Sequence, residues 1–508
     1  MSSAIEIVWA DCENRAMTIG TDVTGIASPR IPDLPPDFLA WQRVDVFVGS
    51  GQTRSLVAKP KSVDDCIEVM AFCRKSGLSL CPRGSGRSYG DAILNDQNVL
   101  LDMSDMNHIL SFDEPEGTVT VEPGARLVDV FHRVHHLGWT IPASPTDSTI
   151  SVGGALGANV NGKDSWRAGN FGDQVLQLKV ITAAGELLII DRQNNAELFM
   201  AVIGGMGLLA LVVEAKLQLQ KVPSPYLDVE ITTADNLDDL VTRLEVIKDN
   251  SDFIVVWIDT YAKKNKLGRS VIHATRWSDH TADAVVLKAD IEKSVSLLAR
   301  QKRRAVGFYR TFRFFINLGF HLQKIPIRLF NNFYFALHRR DKGEQNKSTK
   351  PEMFLEHNFD KSYTVPPPDI LCGPHGYTVQ ITIPQTVGRE AMTEMLELCQ
   401  SAPCPPATTI LRLHRRDDHV ISFSEDGYSL NVEFHPKKRH ARKMAVFMEK
   451  FIECGIRYGS RVHLPKDITL TKNQFQRLYP RYAEFLELKR QWDPDTLFQS
   501  DMYRRLFS

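Results

Sequence analysis

The sequence predicts a two-domain protein that mixes helices with strands, and three observations carry that expectation. With 508 residues, the chain exceeds what one hydrophobic core can organise. Stretches of helical and of strand periodicity follow one another along its length. A glycine-rich texture marks the first part and stops near Lys221 and Pro225, where a boundary is placed. The expected division is an irregular, proline-rich lead-in over 1–40, a first domain over 41–222, a second over 223–455, and a C-terminal segment over 456–508.

Each element has its own signal. Ser62 followed by Asp65 reads as a helix start, Ile67, Met70 and Cys73 follow at helical spacing, and Gly77 ends the helix. Residues 78–81 form a short apolar strand that leads into Arg83, and 99–103 and 118–121 alternate as strands. Leu127, Val130, Phe131, Val134 and Leu137 share one helical face, closed by Gly138. Residues 175–182 and 186–190 read as a hairpin around Ala184 and Gly185, 196–203 as a helix, and 209–219 as a long strand. Farther on, 409–413 and 429–434 read as strands, 441–454 as a helix, and 474–491 as one polar helix. Residues 302–340 are basic and crowded with aromatics such as Phe308, Phe315 and Phe333. One reading of them is a contact with a membrane surface or lipid substrate. Two core helices with snorkelling arginines, split at Pro326, are the favoured reading.

Composition excludes several classes. Lys+Arg and Asp+Glu both number 61, so no net field draws the chain toward nucleic acid. The eight cysteines form no CxxC pair and suit reduced thiols in a cytoplasmic protein. The N-terminus, with Glu6, Asp11 and Glu13, lacks the basic-then-apolar pattern of a signal peptide. The longest uncharged apolar run, 198–213, is interrupted by glycines and falls short of the roughly 20 residues that a membrane span needs. The expected location is therefore the cytoplasm, with at most peripheral membrane contact. His132, His135 and His136 read as a solvated helix face, and His414 to His419 as a charged strand-end turn, so no metal site is expected.

The chemistry sits in glycine-rich loops. Arg83, Gly84, Ser85, Gly86, Arg87, Ser88, Tyr89, Gly90 and Asp91 follow a strand and combine three glycines, two serine hydroxyls and two cations. Glycine lets backbone N–H groups approach a diphosphate that side chains would block. The spacing is GxGxxxG, not the GxGxxG of a nicotinamide-type Rossmann site, and no helical pattern follows it. A second stretch runs through Val152, Gly153, Gly154, Asn159, Asn161 and Gly162, with Thr146 just upstream. Gly204, Gly205 and Gly207 make a third.

These stretches, with Tyr479-Pro480-Arg481, Asp493-Pro494 and Ser500-Asp501-Met502, resemble the FAD-binding oxidoreductases of the vanillyl-alcohol oxidase/p-cresol methylhydroxylase (PCMH) type. Within that superfamily they are most similar to flavoprotein subunits of the decaprenylphosphoryl-ribose 2′-epimerase kind. The resemblance covers 41–219 well and 376–506 more loosely. It implies an α+β fold: a PCMH-type FAD-binding domain joined by the extreme C-terminus, plus a substrate (cap) domain on an antiparallel sheet. It also implies FAD contacts from Arg83 to Tyr89, Thr146, Val152, Gly153, Gly154, Asn159, Asn161, Gly162, Ile203 and His463. Many relatives bind the flavin covalently through a first-loop histidine, where this chain has Arg87. Asn161 stands where the epimerase subunit has a second-loop histidine, so noncovalent FAD is implied. Such subunits further imply a separate NAD(P)H-dependent reductase partner.

By the same resemblance, Lys466 is the active-site lysine, Gln380 lines its pocket, and Tyr89 lies beside the cofactor. Four positions depart from the subunit's pattern. Arg412 replaces a lysine, His414 an aromatic residue, Ser429 an asparagine and Asn431 a cysteine. Arg412 keeps a cation for a phosphate or carboxylate, and His414 adds an acid/base candidate. The expected activity is oxidation of a secondary alcohol of a sugar or sugar derivative, polyprenyl-phosphate-linked ones included, by hydride transfer to flavin N5. The alternatives are reduction of a carbon–carbon double bond, as in the similar sterol reductases, and a non-catalytic flavin-binding protein.

Overall fold

Local chemistry builds the first elements. Ser62 Oγ accepts from Asp65 N while the Asp65 carboxylate accepts from Ser62 N, so the helix Val63–Ser76 starts with both donors satisfied. It ends on Gly77 in the left-handed conformation, at φ 66°. The computed structural model describes residues 39–47, 51–224, 226–279, 324–339, 352–353, 376–436 and 440–508. Of the lead-in expected over 1–40, residues 1–38 lie outside them, as do 302–323 and 340 of the basic, aromatic stretch over 302–340.

Strands β1 (Leu39–Asp45), β2 (Gln52–Ala58), β3 (Leu80–Arg83) and β4 (Val99–Asp102) form a sheet in the order β1-β2-β4-β3, parallel except at β1/β2. A second, antiparallel sheet joins β5 (Ile109–Asp113), β6 (Thr118–Val121), β8 (Val175–Thr182), β9 (Leu187–Asp191) and β10 (Ala210–Gln218) in the order β5-β6-β10-β8-β9. The short β7 (Trp139–Thr140) pairs with β11 (Gln220–Lys221). The third sheet holds β12 (Tyr226–Ala234), β13 (Phe253–Ile258), β14 (Ser270–Trp277), β15 (Glu352–Met353), β16 (Tyr377–Pro384), β17 (Pro406–His414) and β18 (Gly427–Phe434). Its order is β15-β12-β14-β13-β17-β18-β16, antiparallel throughout. The fold is α+β, as the sequence predicts.

The third sheet is two-faced because side chains alternate along a strand. Val379, Ile381, Leu411, Leu430 and Val432 point to one side and share a core with the helices Gly388–Ser401 and Ala441–Arg457. Gln380, Arg412, Ser429 and Asn431 point to the other. Cross-strand register fixes this, since Gln380 pairs with Asn431 and Arg412 with Ser429. This second face is polar and still buried: Gln380 and Ser429 are both 0% exposed. A buried polar face is costly unless its groups have partners.

Three elements differ from the sequence expectations. The expected helix over 474–491 breaks into Lys472–Leu478 and Tyr482–Trp492. Pro480 removes an N–H and holds Tyr479 in an extended conformation, and the Tyr479 hydroxyl donates to the Val462 carbonyl. The second glycine stretch is not a plain loop. Ser151 N-caps a short helix, Val152–Gly157. Within 302–340 the described residues form one helix, Lys324–Arg339, which leaves apolar side chains exposed where a core helix was expected; the first of the two expected helices lies outside the described residues. Pro326 falls in its first turn, where the missing N–H has no partner to lose. Asn331, Tyr334 and Phe335 of this helix meet Asp259, Trp257 and Arg269, while Leu329, Phe330, Phe333 and Leu337 are exposed. Among the described residues, no helix is long and apolar enough to cross a membrane.

One histidine corrects a smaller expectation. His135 is buried and stacks on Phe131 at 4.1 Å, so only His132 and His136 belong to a solvated face. Asp417 and His419 are buried too, and Asp417 accepts from Asn159 and Asn170 at 3.0 and 2.9 Å. The segment 414–419 follows the end of β17 as expected, with Arg415, Arg416 and Asp418 exposed, and its buried Asp417 supports the second glycine stretch. No group of three or more His, Cys, Asp or Glu among the described residues is arranged to hold a metal.

Candidate active site

The two glycine stretches pack against each other. Ser151 Oγ accepts from Ser85 N at 3.2 Å and from Gly154 N at 3.4 Å. A Cβ on Gly84 would lie 2.1 Å from that oxygen, so only glycine permits the contact. The stretches spend their N–H groups differently. Val152 N and Gly153 N donate to the carbonyls of Ala125 and Pro123. Tyr89 N and Gly90 N donate to Pro465 O at 2.9 and 3.0 Å. Gly84, Gly86, Arg87 and Ser88 have N–H groups with no partner among the described residues. Arg83 and Arg87 add cations, and the buried Nε of Arg87 makes no hydrogen bond among the described residues although Asp147 lies 3.7 Å away. The Arg87 guanidinium sits over Phe47 at 4.8 Å. Four unspent donors and two cations at one turn fit a diphosphate.

Behind the second stretch, Met206 N and Gly204 N donate to the carbonyls of Gly157 and Leu156. Ile203, which ends the helix Ala196–Val202, is buried against Gly172, and Gly172 N donates to Asn159 Oδ1 at 2.9 Å. Asn159 itself is held at φ 41°.

The polar face of the third sheet closes over these loops. Asn161 is the meeting point: its side-chain oxygen accepts from Arg412 Nη1 at 2.7 Å and from Gln380 Nε2 at 3.2 Å. Arg412 also donates to Asn161 O at 3.1 Å and to Thr146 Oγ1 at 2.9 Å. Burial pushes Arg412 down to about 10, and Asp164 opposes that shift. Burial likewise raises the Asp164 carboxyl to about 6, against a hydrogen bond from Ala143 N. Gln380 Nε2 also donates to Ser429 Oγ at 3.2 Å, and its buried Oε1 has no partner among the described residues.

Lys466 Nζ donates to Asn431 Oδ1 at 2.9 Å. Burial and the Arg412 guanidinium push its ammonium down to about 7, with Glu433 pulling the other way. His463 N donates to Gln380 O at 2.8 Å, and its Nε2 meets Ala158 O at 3.1 Å, which leaves a buried Nδ1 without a partner among the described residues. His414 Nε2 lies 2.7 Å from Ser429 Oγ, and Ser424 Oγ is 3.4 Å from Nδ1. Burial, with Arg412 and Lys466 nearby, pushes His414 and His463 each down to about 3. Tyr89 packs edge-on against Phe47 at 5.5 Å, on the first loop.

The site residues expected from the sequence thus fall on the two glycine stretches with Thr146 just upstream, on the sheet face opposite them, at the end of the helix Ala196–Val202 (Ile203), and on the segment that carries His463 and Lys466. Sequence reasoning missed Ser151 as the joint between the loops, although its position before an apolar helix start was a capping signal. It also missed Asp417 and Asn170, whose support role depends on contacts across the chain that no local pattern displays.

The Gly90 contact gives a test of this packing. A Cβ there would lie 2.2 Å from the Asp467 carbonyl, which is backbone and cannot swing aside. Gly90→Ala is expected to cost about 1–3 kcal/mol through overpacking. Lower melting temperature and faster flavin loss would report it, and an unchanged melting curve would refute it.

Comparison with known proteins agrees with this geometry. The family model for an FAD binding domain matches residues 55–191, and the one for D-arabinono-1,4-lactone oxidase matches residues 217–506. The chain is 26% identical to decaprenylphosphoryl-beta-D-ribose oxidase of Mycolicibacterium smegmatis, over 91% of this chain and 97% of that one. It is 23% identical to L-gulonolactone oxidase of Mus musculus, over 90% and 96% of the two chains. It also matches D-arabinono-1,4-lactone oxidase of Kluyveromyces lactis at 25% identity, over 42% of this chain and 41% of the relative. A cradle of unspent N–H groups, a matching FAD binding domain before it closes and a second match over more than half the chain converge on one conclusion: the protein belongs to the D-arabinono-1,4-lactone oxidase family and is an FAD-dependent oxidoreductase acting on CH–OH groups.

Proposed function

We propose that the protein oxidises a secondary alcohol of a sugar or sugar derivative, with FAD held noncovalently between the first glycine loop and the polar face of the third sheet. The relatives' names specify a sugar or a sugar lactone, which supports an oxygen-rich ring as substrate. The single observation that carries the reading is the convergence of Lys466, Arg412, Gln380 and His463 around Asn161 and Asn431. Noncovalent attachment rests on Arg87 and Asn161, because an asparagine side-chain amide does not supply the nucleophilic ring nitrogen that a histidine does.

Bound FAD supplies the two-electron acceptor that takes hydride from the carbinol carbon. The chain's own residues prepare that transfer. Lys466, near half-protonated at neutral pH, receives the alcohol proton or holds the hydroxyl that loses it. Arg412 keeps its charge and sets positive potential beside Asn161, where anionic or oxygen-rich groups are favoured. Gln380 presents its unpartnered Oε1 as an acceptor for a substrate hydroxyl. His414 stays neutral and braces Ser429, so its role is positioning in place of the acid/base role its type suggests. Tyr89 and His463 complete the cofactor's walls.

The test is anaerobic mixing of the purified protein with sugar alcohols, aldonolactones, polyprenyl-phosphate sugars and, separately, NADPH. Bleaching of the flavin band by an alcohol or lactone is expected, and acid denaturation is expected to release all the FAD into the supernatant. Bleaching by NADPH alone would favour reduction of a double bond, and a flavin that no donor bleaches would mean a non-catalytic protein. Flavin that stays with the precipitate would refute noncovalent binding.

A further inference from the structure

The last residues of the chain reach back into the site. Ser500 caps the helix Asp501–Leu506, and Arg505 projects from it between two loops. Its Nε and Nη2 donate to the two Asp91 oxygens at 2.8 and 2.7 Å. Its Nη1 donates to Asp467 Oδ2 at 3.1 Å and to Leu470 O at 2.6 Å. Asp91 closes the first glycine loop, and Asp467 follows Lys466. The two loops also touch directly, through Tyr89 N and Gly90 N on Pro465 O.

We infer that Arg505 is a positioning residue, a C-terminal clamp that fixes the Lys466 loop against the first glycine loop so that base and cofactor are held in one geometry. The inference rests on the roles proposed above for Lys466 and the loop. A bidentate guanidinium suits this task because its planar fork satisfies one carboxylate while the third nitrogen reaches another. A lysine would offer a point charge and lose the fork. Arg505 is only partly exposed, and Asp91 and Asp467 are more buried still, so the pairs are shielded from solvent. Lys466 faces Arg412 and His414 from β17, Asn431 and Glu433 from β18, and His463 from its own segment. Loosening the clamp would let water reach its ammonium.

The experiment compares flavin-loaded wild-type protein with Arg505→Lys, Asp91→Asn and the double variant. Flavin release on dilution is followed by fluorescence, and kcat and KM are measured against pH. A misplacement near 1 Å lowers turnover by about 10²-fold. Each single variant is therefore expected to release flavin faster and to lose kcat on that scale with KM little changed. The activity limb set by Lys466 is expected to move to higher pH, which a merely structural role would not do. The double variant is expected to be no worse than the worse single one, because both remove the same clamp. Release, kcat and limb unchanged in Arg505→Lys would overturn the inference, as would additive losses in the double variant. If Arg505→Lys does not fold, Asp91→Asn alone decides by the same readouts. Flavin release is read without substrate, so the clamp can fail while wild-type bleaching by alcohols still stands, and the reverse.

Discussion

Replacing Lys466 with methionine is expected to lower kcat by about 10²–10⁴-fold while FAD stays bound. The Lys466 ammonium spends one N–H on Asn431 and contributes to no loop contact that holds the cofactor cradle. Methionine keeps the length and removes the base. The pH dependence gives the sign. A lysine pushed down to about 7 is mostly protonated below that value and mostly neutral above it. If the neutral amine accepts the alcohol proton, kcat rises through pH 7 to a plateau. In Lys466→Arg, whose guanidinium stays charged, that limb disappears. Glu433→Gln removes the one charge that raises the lysine, so the limb moves to lower pH. A kcat within a few-fold of wild type in Lys466→Met, with stoichiometric flavin, would remove the lysine from the chemistry.

The second large effect is on stability. Lys489→Met is expected to destabilise the protein by about 3–5 kcal/mol, because it strands a buried carboxylate. The side chains of Lys489 and Asp493 are 2% and 0% exposed. Lys489 Nζ donates to Asp493 Oδ2 at 2.5 Å and to the carbonyls of Leu208 and Phe498 at 2.6 Å each. Asp493 in turn accepts from Leu497 N and Phe498 N at 2.7 and 2.8 Å. One ammonium thus ties the helix Tyr482–Trp492 to the end of the third glycine stretch and to the strand-like segment that bridges Phe498 to Leu80. Replacing both partners with apolar residues often restores a buried pair's cost, but here it would also orphan two backbone donors. The double variant Lys489→Met, Asp493→Leu should therefore recover little. Urea denaturation of the three proteins measures this, and a single variant as stable as wild type would refute it.

Much of this was legible in the sequence because its signals are local. The Ser62 capping box, Gly77 and the 175–190 hairpin follow from neighbours in the chain, and the α+β class follows from the resemblance that the glycine motifs carry. The glycine spacing separates the cradle from a Rossmann turn for the same reason: it describes one continuous backbone. Other features were missed or misread because they depend on distant partners. Nothing near Asp417 says that Asn159 and Asn170 will bury it, and nothing near His135 says that it will stack in a core. Pro480 was a local signal that deserved more weight than the polar pattern around it.

The sequence by itself determined the kind of cofactor, the residue types at the site and the absence of the histidines that would invite a covalent flavin. Tertiary structure decided how those residues divide the work. Two glycine stretches that look equivalent on paper turn out to differ, because Ala125 and Pro123 consume the donors of one while the first loop keeps Gly84, Gly86, Arg87 and Ser88 unspent. Likewise, Lys466 is an ordinary lysine in the sequence, and becomes one poised near neutrality only when β17 brings Arg412 beside it and burial strips its water. Hydrogen-bond partners and desolvation are properties of the assembled chain, and no stretch of it carries them alone.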